Sequence, residues 1–222
     1  MTQRAFIFDM DGTIVDNMSF HVKSWLEFFQ RRGHVLDADD FFRNTAGRQG
    51  HEIMSAYFGN ALTKQESAAL DSEKEALYRE MYAPHLAPTT GFVDFIARAK
   101  AAGIKLAVAT AAPTENIDFT LDGLDLRKEF NAIAGAADVV RGKPEPDVFL
   151  LAAERAGALP QHSIVFEDAP LGVEAARRAG MRAVVLTTTL PAEAFKEFDN
   201  VIAVVRDFSE LDADELFAFA TN

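Results

Sequence analysis

Cysteine is absent from the 222-residue chain, which removes disulfides, thiolate zinc sites and cysteine nucleophiles from consideration. The five histidines show no paired zinc spacing, so a zinc site is not expected either. Basic residues are in deficit: 22 Lys and Arg stand against 34 Asp and Glu, for a net charge of −12. A nucleic-acid or anionic-membrane surface needs a basic stripe, so neither partner is expected. A small anionic substrate remains compatible, because a few local cations and a metal outweigh a distant negative surface. No stretch approaches the length of a membrane-spanning helix, and near the N-terminus only Ala5 to Phe8 is apolar, too short for a signal-peptide core. The expectation is a soluble, cytoplasmic protein, a monomer rather than an oligomer. Internal repeats, low-complexity tracts and long charge runs are missing as well. Two nucleotide-binding templates and one hydrolase template also fail. Gly135 lies at the wrong distance from Gly142-Lys143 for a Walker A loop, Pro144 takes the Ser/Thr position, and neither a dinucleotide fingerprint nor Gly-x-Ser-x-Gly occurs.

What is present is an ordinary globular composition, 49% apolar and 25% charged, built around the stretch from Phe6 to Asp16. A short apolar run ends in Asp9 and Asp11, followed by Gly12. Side chains alternate along a strand, so the two carboxylates lie on one side if the extended conformation lasts that far. Close like charges call for a cation, or a proton on one of them. That makes the pair a candidate for metal binding or acid/base chemistry, with an ordinary acidic Asp-Gly turn as the alternative.

After this strand, Val22, Trp25, Leu26 and Phe29 follow helical spacing up to Gly33. Further helices are expected over 37–43, 51–58 and 64–82, the last a long polar stretch ending at Pro84. No strand is evident from Asn17 to Leu86. The chain is therefore divided into a core of 1–16 and 87–222 and an all-helical insertion of 17–86. Beyond Thr90 the rhythm changes to strands at 104–110, 132–136, 163–166, 182–186 and 201–205. Between them run helices ending at Gly103 and over 114–121, 147–156 and 171–179. A C-terminal helix is expected after Ser209-Glu210-Leu211-Asp212, which reads as a capping box with Asp in place of Glu or Gln. Such alternation predicts an α/β fold, a doubly wound and mainly parallel sheet covered on both faces.

Ligands of open α/β sheets bind at the carboxyl ends of the strands. There the sequence places Asp9 and Asp11, then Thr110, then Glu167 and Asp168, with Lys143 in the turn opening the 147–156 helix. The hydroxyl of Thr110 and the backbone N–H groups that follow, beginning at Ala111, suit a phosphate, although Thr110 alone also reads as a helix-start residue. Lys143 between Gly142 and Pro144 is either a phosphate ligand or an exposed loop lysine. Glu167-Asp168 is either functional or a helix N-cap. Mg²⁺ takes octahedral oxygen ligands and retains waters, so Asp9, Asp168, a backbone carbonyl and a phosphate oxygen make a reasonable shell.

These four pieces, in this order, resemble the motifs of the haloacid-dehalogenase-like (HAD) phosphotransferase superfamily: Asp9-Met10-Asp11-Gly12-Thr13, Thr110, Lys143 and Glu167-Asp168. The resemblance covers essentially the whole chain. The insertion lies where members similar to β-phosphoglucomutase and phosphoglycolate phosphatase carry a helical cap over the active site. By this resemblance Asp9 is the nucleophile that forms an aspartyl-phosphate, and Asp11 is the acid and then the base. Lys143, Thr110 and Mg²⁺ would offset phosphoryl charge; Asp168 would bind the metal directly, with Glu167 supporting it through water. Asn17, His21, Arg48 and Gln49 are expected to face the substrate, His21 matching the family's cap histidine or else being a half-buried helix histidine. Around the Gly-x-x-Arg segment of true mutases, Ala46 and Gly50 stand where a lysine and an arginine grip a second phosphate. That departure favours a phosphatase of a small phosphorylated metabolite, a sugar phosphate or small phospho-acid. A hexose-phosphate mutase and a non-catalytic phosphometabolite sensor are the alternatives.

Overall fold

A computed structural model of the chain describes residues 3–45, 50–59, 62–212 and 216. The chain forms two compact units, Met1–Asp16 with Ala87–Asn222, and Asn17–Leu86. Among the described residues no helix is long and apolar enough to cross a membrane.

The first unit holds a six-stranded sheet of β1 (Ala5–Phe8), β2 (Lys105–Ala109), β3 (Ala132–Ala134), β4 (Ser163–Glu167), β5 (Arg182–Leu186) and β6 (Val201–Val205). The spatial order is β3-β2-β1-β4-β5-β6, and every neighbouring pair is parallel. Parallel strands need crossovers, supplied by α5 (Phe92–Ala101), α6 (Thr114–Gly123), α7 (Asp147–Ala156) and α8 (Pro170–Arg178). β1 is completely buried, which is why it reads as an unbroken apolar run rather than an alternating one.

The two faces of the sheet differ in residue size. Ile7, Ala107, Ala109, Val165, Ala183 and Val185 form one cluster with Phe149, Ala152 and Ala153 of α7 and with Val173 and Ala176 of α8. Their alternates, Phe6, Phe8 and Phe166, meet Phe92 and Phe95 of α5 and Phe208 in stacked, edge-on and tilted ring contacts. Each such ring contributes about 1.5–3 kcal/mol by burial.

The helical insert lies between β1 and β2 in sequence and comprises α1 (Met18–Gln30), α2 (Ala38–Thr45), α3 (Gly50–Phe58) and α4 (Lys64–Tyr82). Trp25, Phe28 and Phe29 of α1 close a core with Phe41, Ile53, Met54 and Leu77. A capping box starts α4, with Glu66 N–H donating to Thr63 Oγ1 at 3.2 Å and Thr63 N–H to Glu66 Oε2 at 2.8 Å.

Element boundaries differ from the sequence expectations by a few residues at most, apart from the C-terminal segment. There Ser209 does not act as a cap; it lies within a 3-10 turn, Phe208–Glu210, and its N–H donates to Asp207 Oδ1 at 2.8 Å. Asp207, two residues earlier, supplies the capping carboxylate because its side chain reaches the turn's free N–H. The helix expected beyond falls on 213–222, of which only Leu216 is among the described residues.

Candidate active site

The sheet's strand order reverses at β1, with β2 on one side and β4 on the other. Such switch points are where open α/β sheets bind ligands. Ile7 is the cross-strand partner of Val165, so two residues further on Asp9 and Glu167 share a face of the sheet. That face carries α7, and the loop leading into α7 brings Lys143 to both carboxylates. Its ammonium donates to Asp9 Oδ1 and to Glu167 Oε1, each at 2.6 Å, and lies 5.0 Å from the centre of the Phe149 ring. Lys143 is therefore no exposed loop lysine.

Glu167 has little freedom. Besides Lys143, its Oε2 accepts the N–H groups of Asp168 and Ala169, both at 2.9 Å, at the start of α8. Gly172 in the first turn of α8 lets it lie there, since a Cβ at that position would stand 1.7 Å from Glu167 Oε1. The loop after β1 is as close on the other side. Gly12 has φ 78°, and a Cβ on it would come 2.0 Å from Asp168 Oδ2. Both the left-handed backbone and the approach of Asp168 require glycine there. Asp11, half-buried, sits on this loop and is bridged to Val15.

Thr110 follows β2, whose Val108 pairs with Phe8, so it leaves the sheet beside Asp9. It is buried, and its Oγ1 accepts the Ala112 N–H at 3.0 Å. This turn fixes the hydroxyl while Ala111 passes outside it, exposed. Three threonines beyond β5, none of them singled out from the sequence, complete the rim. Thr187 Oγ1 donates to Val205 O at 3.2 Å, Thr188 Oγ1 to Gly12 O, and Thr189 Oγ1 to Asp168 Oδ2. A hydroxyl run at the carboxyl end of a strand was their only signal.

Residues 6–186 match the family described as haloacid dehalogenase-like hydrolase. The chain belongs to that family. It is 30% identical over 208 residues to validoxylamine A 7'-phosphate phosphatase of Streptomyces hygroscopicus subsp. limoneus, covering 94% of this chain and 95% of the relative. It is 35% identical over 180 residues to a fructose-1-phosphate phosphatase of Escherichia coli (strain K12), covering 81% and 94%. The crystal structure of a β-phosphoglucomutase from Clostridium difficile superposes with a TM-score of 0.84 at 25% identity, covering 99% of this chain and 97% of that one.

In this haloacid dehalogenase-like hydrolase three buried acids surround one cation. Asp9, Glu167 and Asp168 each offer a carboxylate oxygen, all within 4.8 Å of one another. Burial pushes Asp9 up to about 7 from its ordinary 3.8; Lys143 opposes that, and Glu167 and Asp11 add to it. Burial likewise holds Asp168 well above the usual carboxylate range, reinforced by Glu167 and Asp9. Burial also disfavours the Lys143 ammonium, but Asp9 and Glu167 outweigh that cost and raise its pKa. One ammonium does not balance three carboxylates, and an all-oxygen donor set suits a hard divalent cation such as Mg²⁺. The donor set thus fits the metal that the family implies.

Of the residues expected to meet substrate, Asn17 and His21 lie in the helical unit and are joined through Tyr78. Asn17 Nδ2 donates to Tyr78 Oη at 2.5 Å, and the His21 ring stacks on Tyr78 at 3.8 Å. His21 Nδ1 is 3.0 Å from Lys74 Nζ, which also bonds Glu75 Oε1 at 2.7 Å and faces the Trp25 ring at 4.9 Å. Lys74 is 1% exposed, although α4 reads as a polar stretch; its spacing from Tyr78 was the unused signal. Arg48 and Gln49 lie outside the described residues.

Proposed function

We propose that the chain is a Mg²⁺-dependent phosphatase that hydrolyses a small phosphorylated metabolite, a sugar phosphate or small phospho-acid, through an aspartyl-phosphate. The observation that carries this reading is the Lys143 bridge from Asp9 to Glu167 beside Asp168, in a family whose similar members include, by name, a validoxylamine A 7'-phosphate phosphatase and a fructose-1-phosphate phosphatase. Asp9 attacks phosphorus, forming an acyl-phosphate bond as the substrate's ester oxygen departs. Asp11 gives that oxygen its proton, then takes one from the water that attacks the same phosphorus, so Asp9 is restored and inorganic phosphate leaves. Lys143, the Thr110 hydroxyl and the Ala111 N–H meet the non-bridging oxygens, where charge builds. Asp9, Asp168 and the Asp11 loop, with Glu167 behind them, would hold the metal, which would supply positive charge against the phosphoryl oxygens.

The helical unit of 17–86 acts in this reading as the substrate-selecting cap, with Asn17, His21, Arg48 and Gln49 as its contacts. Gly50 bears on the choice of substrate. A Cβ there would meet Asp71 Oδ1 at 2.0 Å, so any longer side chain must first displace that carboxylate. With glycine here, this chain brings no arginine to a second phosphate from this position, which favours monophosphates. The likeness to a β-phosphoglucomutase structure keeps a mutase as the second reading. Phosphate release measured with Mg²⁺ across sugar monophosphates, small phospho-acids and pyrophosphate is expected to single out a monophosphate. Conversion of β-glucose 1-phosphate to glucose 6-phosphate with little free phosphate, seen in a coupled assay, would overturn the phosphatase in favour of the mutase.

A further inference from the structure

The threonine run at the end of β5 spends each hydroxyl on a different part of the rim. Thr187 ties to β6, Thr188 to the carbonyl of Gly12, and Thr189 to the carboxylate of Asp168. Thr189 also stands where it closes the space above Gly12. A Cβ on that glycine would lie 2.8 Å from Thr189 Oγ1 as well as 2.0 Å from Asp168 Oδ2. Asp168 is thus held between the Gly12 backbone and one hydroxyl, and the residue is 3% exposed. Among the described residues Thr189 is the one side-chain donor to Asp168.

We infer that Thr189 is a positioning residue for metal binding: its hydroxyl fixes the rotation of the Asp168 carboxylate and so sets the angle at which an oxygen is offered to Mg²⁺. This rests on Asp168 being a metal ligand in the reading above. The physical reason is the rigidity of the ion. Mg²⁺ demands near-ideal octahedral geometry, so a carboxylate free to turn about its last bond presents the right oxygen only part of the time. Partners that orient a ligating carboxylate typically account for about 10–100-fold in metal affinity. Thr189 touches none of the other acids through its hydroxyl, so its effect belongs to the metal and not to the attack of Asp9.

Calorimetric titration of Mg²⁺ into metal-free protein tests this without substrate. Thr189→Val keeps the volume and removes the donor, and Thr189→Ser keeps the donor. Thr187→Val removes a hydroxyl of the same run that bonds Val205, away from the acids. Asp168→Asn reports whether Asp168 binds the metal at all. The inference expects Thr189→Val to weaken Mg²⁺ by about 10–100-fold, with Thr189→Ser close to wild type and Thr187→Val unchanged. Wild-type affinity in Thr189→Val, with Asp168→Asn weakened, overturns the role of Thr189 and leaves the metal reading intact. Unchanged affinity in Asp168→Asn instead removes Asp168 as a ligand, and both readings fall. Should Thr189→Val not fold, Thr189→Ala carries the same comparison, and the Mg²⁺-induced rise in its unfolding temperature gives a second readout.

Discussion

Replacing Lys143 by methionine removes the one ammonium bonded to Asp9 and Glu167 among the described residues and leaves the shape of the side chain nearly intact. Both contacts are 2.6 Å and largely shielded from water, with side-chain exposures of 11% for Lys143, 9% for Asp9 and 1% for Glu167. Breaking a buried pair by removing one partner costs about 3–5 kcal/mol, because a charge is left without compensation. In a domain of this size each kcal/mol lowers the unfolding temperature by about 2–4 °C, so metal-free Lys143→Met should unfold roughly 6–20 °C below wild type. The loss should depend on pH in a definite direction. The folded pKa of Asp9, about 7, lies above its ordinary 3.8. A raised folded pKa means that the folded state holds the proton more tightly, so this contribution is full below about pH 4 and fades as pH rises through 7. Neutral Asp9 has little need of the ammonium. Lys143→Met should therefore be further below wild type at pH 8 than at pH 6. Saturating Mg²⁺ should narrow the gap, since acids left without the ammonium bind the cation more tightly than those of wild type and gain more stability from it. Differential scanning calorimetry in chelator and in Mg²⁺, at both pH values, measures all three effects. Transitions within 2 °C of wild type in chelator at pH 8, a threshold set at roughly the effect of 1 kcal/mol, would refute the account of the cluster.

Gly172→Ala should act against the usual preference for alanine in helices, which is worth about 0.4–1 kcal/mol in its favour. The new Cβ would lie 1.7 Å from Glu167 Oε1, and denaturant unfolding should show a loss of about 1–3 kcal/mol; a variant as stable as wild type would mean that Glu167 is not held as described. Mg²⁺ affinity should rise with pH through about 7, the value to which Asp9 is pushed, because the metal takes the carboxylate and releases its proton. Titrations in two buffers of different ionisation enthalpy should show less proton release at pH 8.5, on the order of one and a half units beyond that midpoint, than at pH 6; release that is equal at both would remove Asp9 from the linkage.

Much of the rim could be read from the sequence because one rule, that strands end at the site, acts on local patterns. An apolar run ending in Asp9 and a second ending in Glu167-Asp168 announce their place without any tertiary knowledge. The partner of Asp9 was harder to foresee. Lys143 is 134 residues away, and only the packing of α7 over Ile7 and Val165 brings it there. Glu167 illustrates a further limit, since its rigidity comes from backbone N–H groups and from the missing Cβ of Gly172, neither of which has a residue-type signature. Thr187, Thr188 and Thr189 carry hydroxyls that serve equally in turns, strands and caps, so their type alone pointed nowhere. Lys74 stands in a stretch that reads only as polar; His21, Glu75 and the Trp25 ring together make its burial tolerable. The helical insert was legible as helices by apolar spacing, whereas the segment of 46–49, with Arg48 and Gln49, lies outside the described residues.

The central claim is that Asp9 carries the phosphoryl group between substrate and water. Its most direct test is an acid quench of the protein during turnover of a labelled monophosphate, followed by mass spectrometry of the peptide that contains Asp9. The account predicts label on that peptide in wild type, and neither label nor phosphate release in a folded Asp9→Asn variant. Steady phosphate release by Asp9→Asn in a preparation free of other phosphatases, or turnover by wild type with label on a different residue, would contradict it.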